Sequence, residues 1–326
     1  MNVVLVGYGY WGPNIARHLL ASTKSKLHAV VDIRPQSIER ARKACGENIS
    51  YSQDYREFLN NKKVDAFAIA TQTEASYQIA LDVLASGKHL FIEKPMASNY
   101  KRAQAITELA QKMNRTVHCD HIFIYHPIIR YIKDYYDSGE LGELIYFDIK
   151  RVNLGPIRKD INTMLDLAVH DIAVIDYISG GCEPYELEAM GEKRYGSQET
   201  LTYLTMRYPG FLAHINSSWL SPLKERRIVI GGTKKMLVFD DVRSVDKLAI
   251  YDQGIIHRGP DDEYGPYEFK VRTGDMMAPY IPFEDSLLHS IEHFIDCANK
   301  NIPSLSGPEQ AVRVVKILDQ ALAKMR

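Results

Sequence analysis

The stretch "VGYGYWGPN", Val6 to Asn14, decides how the chain begins to fold: three glycines fall at the spacing G-x-G-x-x-G, with Tyr10 and Trp11 between the second and third. Spacing alone is weak evidence, because any sharp strand-to-helix turn uses glycine. The flanks carry the decision. Upstream, "NVVLV" (Asn2 to Val6) is a short, β-branched run suited to a strand buried on both faces of a parallel sheet. Downstream, Pro13 stands in the first turn of a helix whose apolar positions Ile15, Ala16, Leu19 and Leu20 recur at helical spacing. A second strand, Leu27 to Val31, closes on Asp32 before Pro35 opens another helix. That puts a carboxylate about 20 residues beyond the last glycine, where a ribose hydroxyl needs an acceptor.

The pattern reads as a dinucleotide site. Gly7 allows the tight turn, Gly9 the close approach of a pyrophosphate and Gly12 the packing of helix on strand, with the helix N-terminus facing the phosphates. Trp11 points across the mouth of the site, and Tyr10, Thr71 and Glu93 join the cofactor-side candidates. Asp32 would repel a 2′-phosphate and favours NAD; Arg34, two residues on, keeps NADP as the alternative.

Up to about residue 121, short strands alternate with amphipathic helices. The strands are Val64 to Ala70, His89 to Ile92 and Thr116 to Cys119; the helices lie near Pro35 to Ala44, Glu74 to Ser86 and Asn99 to Lys112. This alternation predicts an α/β Rossmann domain over 1–121 with a doubly wound parallel sheet. From residue 122 the rhythm changes. Helical segments at Pro127 to Tyr136 and Ala168 to Ile178 give way to closely spaced runs such as "ELIYFDIKRV", "TLTYLTMRY", "FLAHINSSWL" and "ERRIVIGG". They predict an α+β domain over 122–326 with a large, mostly antiparallel open sheet, which binds substrate and forms the oligomer. Helices at Ser286 to Asn299 and Glu309 to Met325 close the chain and pack back on the first domain.

Composition narrows the function class. With 326 residues, 45% hydrophobic, 25% charged and a net charge of −1, the chain offers no basic surface for nucleic acid or an anionic membrane. No apolar run reaches the roughly 18 residues of a spanning helix. The first strand begins without a basic leader and the four cysteines show no paired spacing, so a cytoplasmic protein with reduced thiols is expected. "HCDH", His118 to His121, resembles a metal cluster, but on a strand His118 and Asp120 would face away from Cys119 and His121, so no metal site is expected.

A dinucleotide domain joined to a sheet domain suggests hydride transfer, with substrate held between them. In "FIEKPMA", Lys94 follows a predicted strand and precedes Pro95, which disfavours helical geometry at the lysine. Such a lysine beside a cationic nicotinamide would have its pKa lowered and could take a hydroxyl proton; equally, it is a surface turn. In "DLAVHD", Asp166 and His170 lie four apart and share a helical face. The carboxylate orients the imidazole there, or else Asp166 is an N-cap and His170 a packed histidine.

The three stretches, in this order and at these separations, resemble the Gfo/Idh/MocA family of NAD(P)-dependent oxidoreductases over essentially the whole chain. The resemblance implies that Lys94 and His170 are the acid/base groups of a sugar-oxidising site and that Asp166 positions substrate or histidine. "SGELGELIYFDIKRVNLGPIRKDINTMLDLAVHDI" and "SSWLSPLKERRIVIGGTKKMLVFDD" further resemble members acting on nucleotide-linked sugars, notably UDP-N-acetylglucosaminuronate 3-dehydrogenases in surface-polysaccharide pathways. By that resemblance Asn153, Arg158 and Asn162 line the sugar pocket, Lys224 or Arg227 lies near it, C3 is the reacting carbon, and the protein is a homodimer or homotetramer. Gln72 and Ser76 stand where many relatives carry proline and histidine, and Val169 where close relatives carry proline. The alternatives are a free-sugar or inositol dehydrogenase of the same family, or a non-catalytic cofactor-binding protein.

Overall fold

A computed structural model of the chain describes residues 1–257 and 269–325. It divides into two compact units, Met1–His126 with Glu284–Asp319, and Pro127–Phe283 with Gln320–Arg326.

The first unit alternates β1 (Asn2–Val6), α1 (Gly12–Ala21), β2 (Lys26–Val31), α2 (Pro35–Cys45), β3 (Ser50–Ser52), β4 (Ala66–Ile69), α3 (Thr73–Ala85), β5 (His89–Ile92), α4 (Tyr100–Met113) and β6 (Val117–Cys119). The six strands form one parallel sheet in the order β3-β2-β1-β4-β5-β6, the doubly wound Rossmann arrangement. Side-chain alternation along β1 sends Val4 and Val6 into a cluster with Phe67, Ile69, Leu84 and Ile106, and Val3 and Leu5 into another with Ile15, Leu19, Phe91, Ile291 and Phe294. Two late helices complete these layers: α7 (Ser286–Lys300) supplies Leu287, Ile291, Phe294 and Ile295 to the second cluster, and α8 (Pro308–Lys324) gives Ala311 and Val315 to the first. Polar contacts tie α7 to α1: Ser22 donates to Glu292 at 2.8 Å, Lys24 to Asp296 at 2.8 Å, and His18 Nε2 meets Asp285 at 2.9 Å.

The second unit holds α5 (Pro127–Asp137), β7 (Leu144–Leu154), α6 (Val169–Ile178), β8 (Glu186–Glu192), β9 (Leu201–Tyr208), β10 (Phe211–Ser218), β11 (Leu220–Gly232), β12 (Met236–Asp240), β13 (Leu248–Tyr251), β14 (Gly254–His257), β15 (Phe269–Arg272) and β16 (Met276–Met277). Eight of these strands form a sheet in the order β16-β13-β12-β11-β7-β10-β9-β8; β7 and β10 pair in parallel and the other pairs are antiparallel. One face buries Phe147, Ile149, Leu204, Met206, Ala213, Ile215, Ile228 and Ile230, while Met190, Tyr203 and Leu212 are exposed on the other. The run "FLAHINSSWL" is not one strand. Trp219 separates β10 from β11, its N–H donating to the Thr200 carbonyl and its ring buried. A π-turn, Met164–Ala168, precedes α6, so the helix expected from Ala168 has a wider first turn.

Candidate active site

In the first unit the site is drawn by backbone at the C-terminal ends of β1 and β2. Gly7 has φ +98°, and a Cβ there would stand 2.5 Å from the Ala70 carbonyl oxygen and 2.9 Å from Thr71 Cγ2. A Cβ on Gly12 would meet the Gly7 carbonyl oxygen. Both glycines are therefore required by the chain's own packing. Gly9 differs: its Cβ would meet nothing closer than Arg34 Nη2 at 3.7 Å. The protein leaves room for a side chain that the sequence withholds, as expected where a pyrophosphate approaches. Behind it α1 starts with Pro13 in its first turn and no side-chain cap; the Asn14 and Ile15 N–H groups donate to the Trp11 carbonyl at 2.9 and 3.2 Å, and the positive end of the helix dipole is what the turn offers an anion. Trp11 is half-buried and Tyr10, 86% exposed, packs edge-to-face against it at 5.9 Å.

Asp32 is buried just past β2. Its Oδ2 accepts the Tyr8 N–H at 2.8 Å and its Oδ1 the Arg34 N–H at 2.9 Å, while the Arg34 side chain lies against both oxygens at 3.2 and 3.3 Å. Burial pushes the carboxyl up, but the guanidinium and the two amides outweigh it and hold Asp32 below the usual carboxylate range. The result is an ionised acceptor at the ribose position. Thr71 is half-buried beside Gly7 and bonds through Oγ1 to Ser76 Oγ at 2.8 Å, so the Gln72–Ser76 departure leaves a closed hydroxyl pair under the loop.

Glu93 and Lys94 follow β5 and are half-buried, and Asp120 follows the adjacent strand β6. Lys94 precedes Pro95 across a cis peptide bond. Burial and the neighbouring Asp120 push the Glu93 carboxyl well up, against the pull of Lys94, and its Oε1 is enclosed. Burial also raises Asp120, with Ser290, His18 and Lys94 pulling it down. Lys94 thus draws both carboxyl groups toward their ionised forms, against burial. "HCDH" divides as its alternation requires: His118 and Asp120 meet on Ser290 Oγ, whereas Cys119 Sγ lies 3.5 Å from His121 Nε2.

In the second unit, Asp166 lies within the π-turn and His170 in the first turn of α6, both half-buried. π-turns widen a helix locally and concentrate at functional sites. Arg158 reaches Asp166 at 3.4 Å and binds Asp160 at 3.2 and 2.8 Å. Asn162 is buried: its amide donates to Glu199 at 2.9 Å and its oxygen accepts the Leu165 N–H at 3.0 Å, which fixes the entry to the π-turn. Asn153 is half-buried near the end of β7, its amide folded toward Gly155; Lys224 and Arg227 are exposed on β11.

Sequence reasoning missed the pair that anchors this helix. Arg151 of β7 clamps Asp171 with both Nε and Nη2, at 3.0 and 2.6 Å, and both side chains are buried. The signal was present: Phe147, Ile149 and Arg151 alternate on the core-facing side of β7, so a charge there demanded a buried partner.

Residues 1–121 match the family model described as "Oxidoreductase family, NAD-binding Rossmann fold", and residues 129–238 match the Gfo/Idh/MocA C-terminal domain. The chain belongs to the Gfo/Idh/MocA oxidoreductase family. It is an NAD-dependent oxidoreductase, with the glycine turn and Asp32 fitting that cofactor. Among relatives, the UDP-N-acetylglucosamine 3-dehydrogenase of Acidithiobacillus ferrooxidans is 27% identical over 244 residues, 74% of this chain and 72% of that one. An inositol 2-dehydrogenase/D-chiro-inositol 3-dehydrogenase of Lactiplantibacillus plantarum is also 27% identical, over 179 residues that make up 53% of this chain and 50% of that one. The crystal structure of the Acidithiobacillus enzyme superposes with a TM-score of 0.82 at 22% identity, covering 100% of this chain and 97% of the other. No helix among the described residues is long and apolar enough to cross a membrane.

Proposed function

We propose that this oxidoreductase oxidises or reduces a secondary alcohol, at C3, of a nucleotide-linked sugar. NAD, when bound, exchanges the hydride. Lys94 takes the hydroxyl proton in oxidation and returns it in reduction. His170 is the second acid/base group, and Asp166 orients the sugar or the imidazole. Asn153 and Arg158 contact the substrate, whereas Asn162 acts on it through the π-turn that its side chain holds.

The observation that carries the substrate class is Arg158 against Asp166: a guanidinium, the side chain best suited to a diphosphate, stands beside a proposed substrate-binding carboxylate. A free sugar or inositol is the second reading. It is favoured by the equal identity to the inositol dehydrogenase and by the fact that Asp160 and Asp166 already compensate Arg158. The apolar and aromatic residues Met190, Tyr203 and Leu212 on the outer face of the eight-stranded sheet suit burial by a second copy, so the working form in the cytoplasm is a homodimer or homotetramer.

The test is a thermal shift of the full chain with NAD, alone and with UDP-sugars, dTDP-sugars, free sugars and inositols, followed by turnover with whichever ligand stabilises it. A UDP-sugar shift on top of that with NAD, with none from inositol, is expected. An inositol shift without a nucleotide-sugar shift overturns the substrate class. In the turnover assay Lys94→Met lowers kcat by about 10²–10⁴-fold and leaves NAD affinity unchanged; a variant with near-normal kcat removes Lys94 from the chemistry.

A further inference from the structure

The proton that Lys94 gains must leave, and a hydrogen-bonded line begins at Asp120, the buried carboxyl on which the Lys94 charge acts. Ser290 Oγ donates to Asp120 Oδ1 at 2.7 Å. His118 Nε2 lies 2.9 Å from the same Oγ, and His118 Nδ1 lies 2.9 Å from Ser304 Oγ. Asp120, Ser290 and His118 are buried, and Ser304, in the segment between α7 and α8, is half-buried and meets solvent. We propose that Asp120, Ser290, His118 and Ser304 form a proton relay connecting Lys94 to water on the α7–α8 side of the first unit. This rests on the reading of Lys94 as the acid/base group, not on the identity of the sugar.

The polarity of the line follows from donor and acceptor inventory. An ionised Asp120 only accepts, so the Ser290 hydroxyl hydrogen is committed to it and Ser290 Oγ must accept from His118 Nε2–H. Nδ1 then carries the lone pair and accepts from Ser304, whose own oxygen takes the Ser306 N–H at 3.2 Å. A proton passing from water to Asp120 reverses every bond: Ser304 gives its hydrogen to Nδ1, Nε2 gives its own to Ser290 and Ser290 its own to Asp120, which leaves Asp120 donating to Ser290, Ser290 to Nε2 and Nδ1–H to Ser304. The same hops run backwards carry the Asp120 proton to water; each member takes one proton and gives one, so the line exchanges protons between water and the acid beside Lys94 while the hydride moves between sugar and NAD. The imidazole shuttles without becoming a cation, in keeping with the strong lowering of its pKa by burial and by His293 and His121. Around the line lie the other groups that act on it: Glu93 and Lys94 after β5, Cys119 and His121 flanking Asp120, His18 of α1 with Asp285, and His293 of α7. Phe91 and Tyr125 sandwich the imidazole at 5.0 and 5.6 Å and hold its plane in the line.

A histidine buried only for packing keeps one tautomer; a relay histidine exchanges tautomers when its terminal acid is protonated. The full chain with ¹⁵N-labelled histidine, read by NMR across a pH series and assigned by the signals lost in His118→Gln, separates the two without any substrate. Expected is Nε2–H at high pH and a change to Nδ1–H, with the ring neutral throughout, as Asp120 protonates. One fixed tautomer across the series, or a ring that becomes cationic, overturns the relay. Where the wild type turns over a sugar, Ser290→Ala lowers kcat about tenfold with KM unchanged and small buffers such as imidazole restore it, since the loss is one of proton transfer alone. Absence of wild-type turnover over the whole panel counts against the Lys94 reading, while the tautomer series still decides the relay.

Discussion

The glycine turn of the first unit and the helix entry at Asp166 in the second are both candidate ligand sites, yet they are fixed by different means. The turn is made of backbone: Gly7 and Gly12 sit where no Cβ fits, and Gly9 where one would fit but is withheld. The helix entry is made of side-chain pairs, one enclosed (Arg151 with Asp171) and one facing solvent (Arg158 with Asp160 and Asp166). A backbone site leaves its mark on sequence as glycine at fixed spacing. A side-chain site leaves residue types whose partners only the fold reveals.

Breaking the enclosed pair should have the largest effect. Arg151→Leu leaves Asp171 buried and unpaired, so it costs about 3–5 kcal/mol in denaturant unfolding of the full chain. A loss below about 1 kcal/mol would mean that the pair does not anchor α6. In the first unit, Gly7→Ala adds strain at positive φ to a collision with the Ala70 carbonyl, together about 2–4 kcal/mol. An unchanged midpoint would show that the turn yields.

The acids behind Lys94 give the first unit a pH signature. Glu93 is raised in the folded state, so folding favours its protonated form. Its contribution is therefore most favourable below the ordinary carboxylate value and is lost as pH rises through the folded value. Glu93→Gln should flatten that fall in stability; an unchanged slope between acid and neutral pH assigns it elsewhere. Asp32 works in the opposite sense. Its lowered pKa contributes stability at neutral pH that disappears only as pH falls through the folded value.

This contrast also explains what the sequence disclosed. The parallel sheet was legible from strands such as "NVVLV" and "HLFI", because burial on both faces demands unbroken apolar runs and each helix between them carries a clear stripe. β3, three residues at the sheet edge, and the short strands β14 to β16 were not, since so few residues carry no periodic signal. Gly7, Gly9, Gly12 and Asp32 could be given separate tasks from spacing alone. The duties of Asn162 and Arg158 could not, because Glu199 and Asp160 enter only through the loops that fold around them. The line from Asp120 to Ser304 was hidden for the same reason: 170 residues separate Asp120 from Ser290.

Two small effects sharpen the comparison. Arg158 is 41% exposed, so Arg158→Ala changes stability by less than about 1 kcal/mol. It should instead raise KM for a nucleotide sugar and leave KM for NAD alone, and equal KM values for sugar in variant and wild type would return Arg158 to the solvated surface.

Gly9→Ala should be the quietest of all in unfolding, within about 0.5 kcal/mol, because φ there is not positive and the new methyl meets only the end of the flexible Arg34 side chain, at 3.7 Å. The same methyl stands in the path of the pyrophosphate and should weaken NAD binding by at least about tenfold, or 1.4 kcal/mol. Calorimetric titration with NAD beside a denaturant curve separates the two effects. A variant that binds NAD normally would mean that the space over Gly9 is not where the phosphates pass. A variant that unfolds easily would mean that the turn relies on Gly9 as it does on Gly7, and the distinction between glycines required by the fold and the glycine reserved for the ligand would collapse.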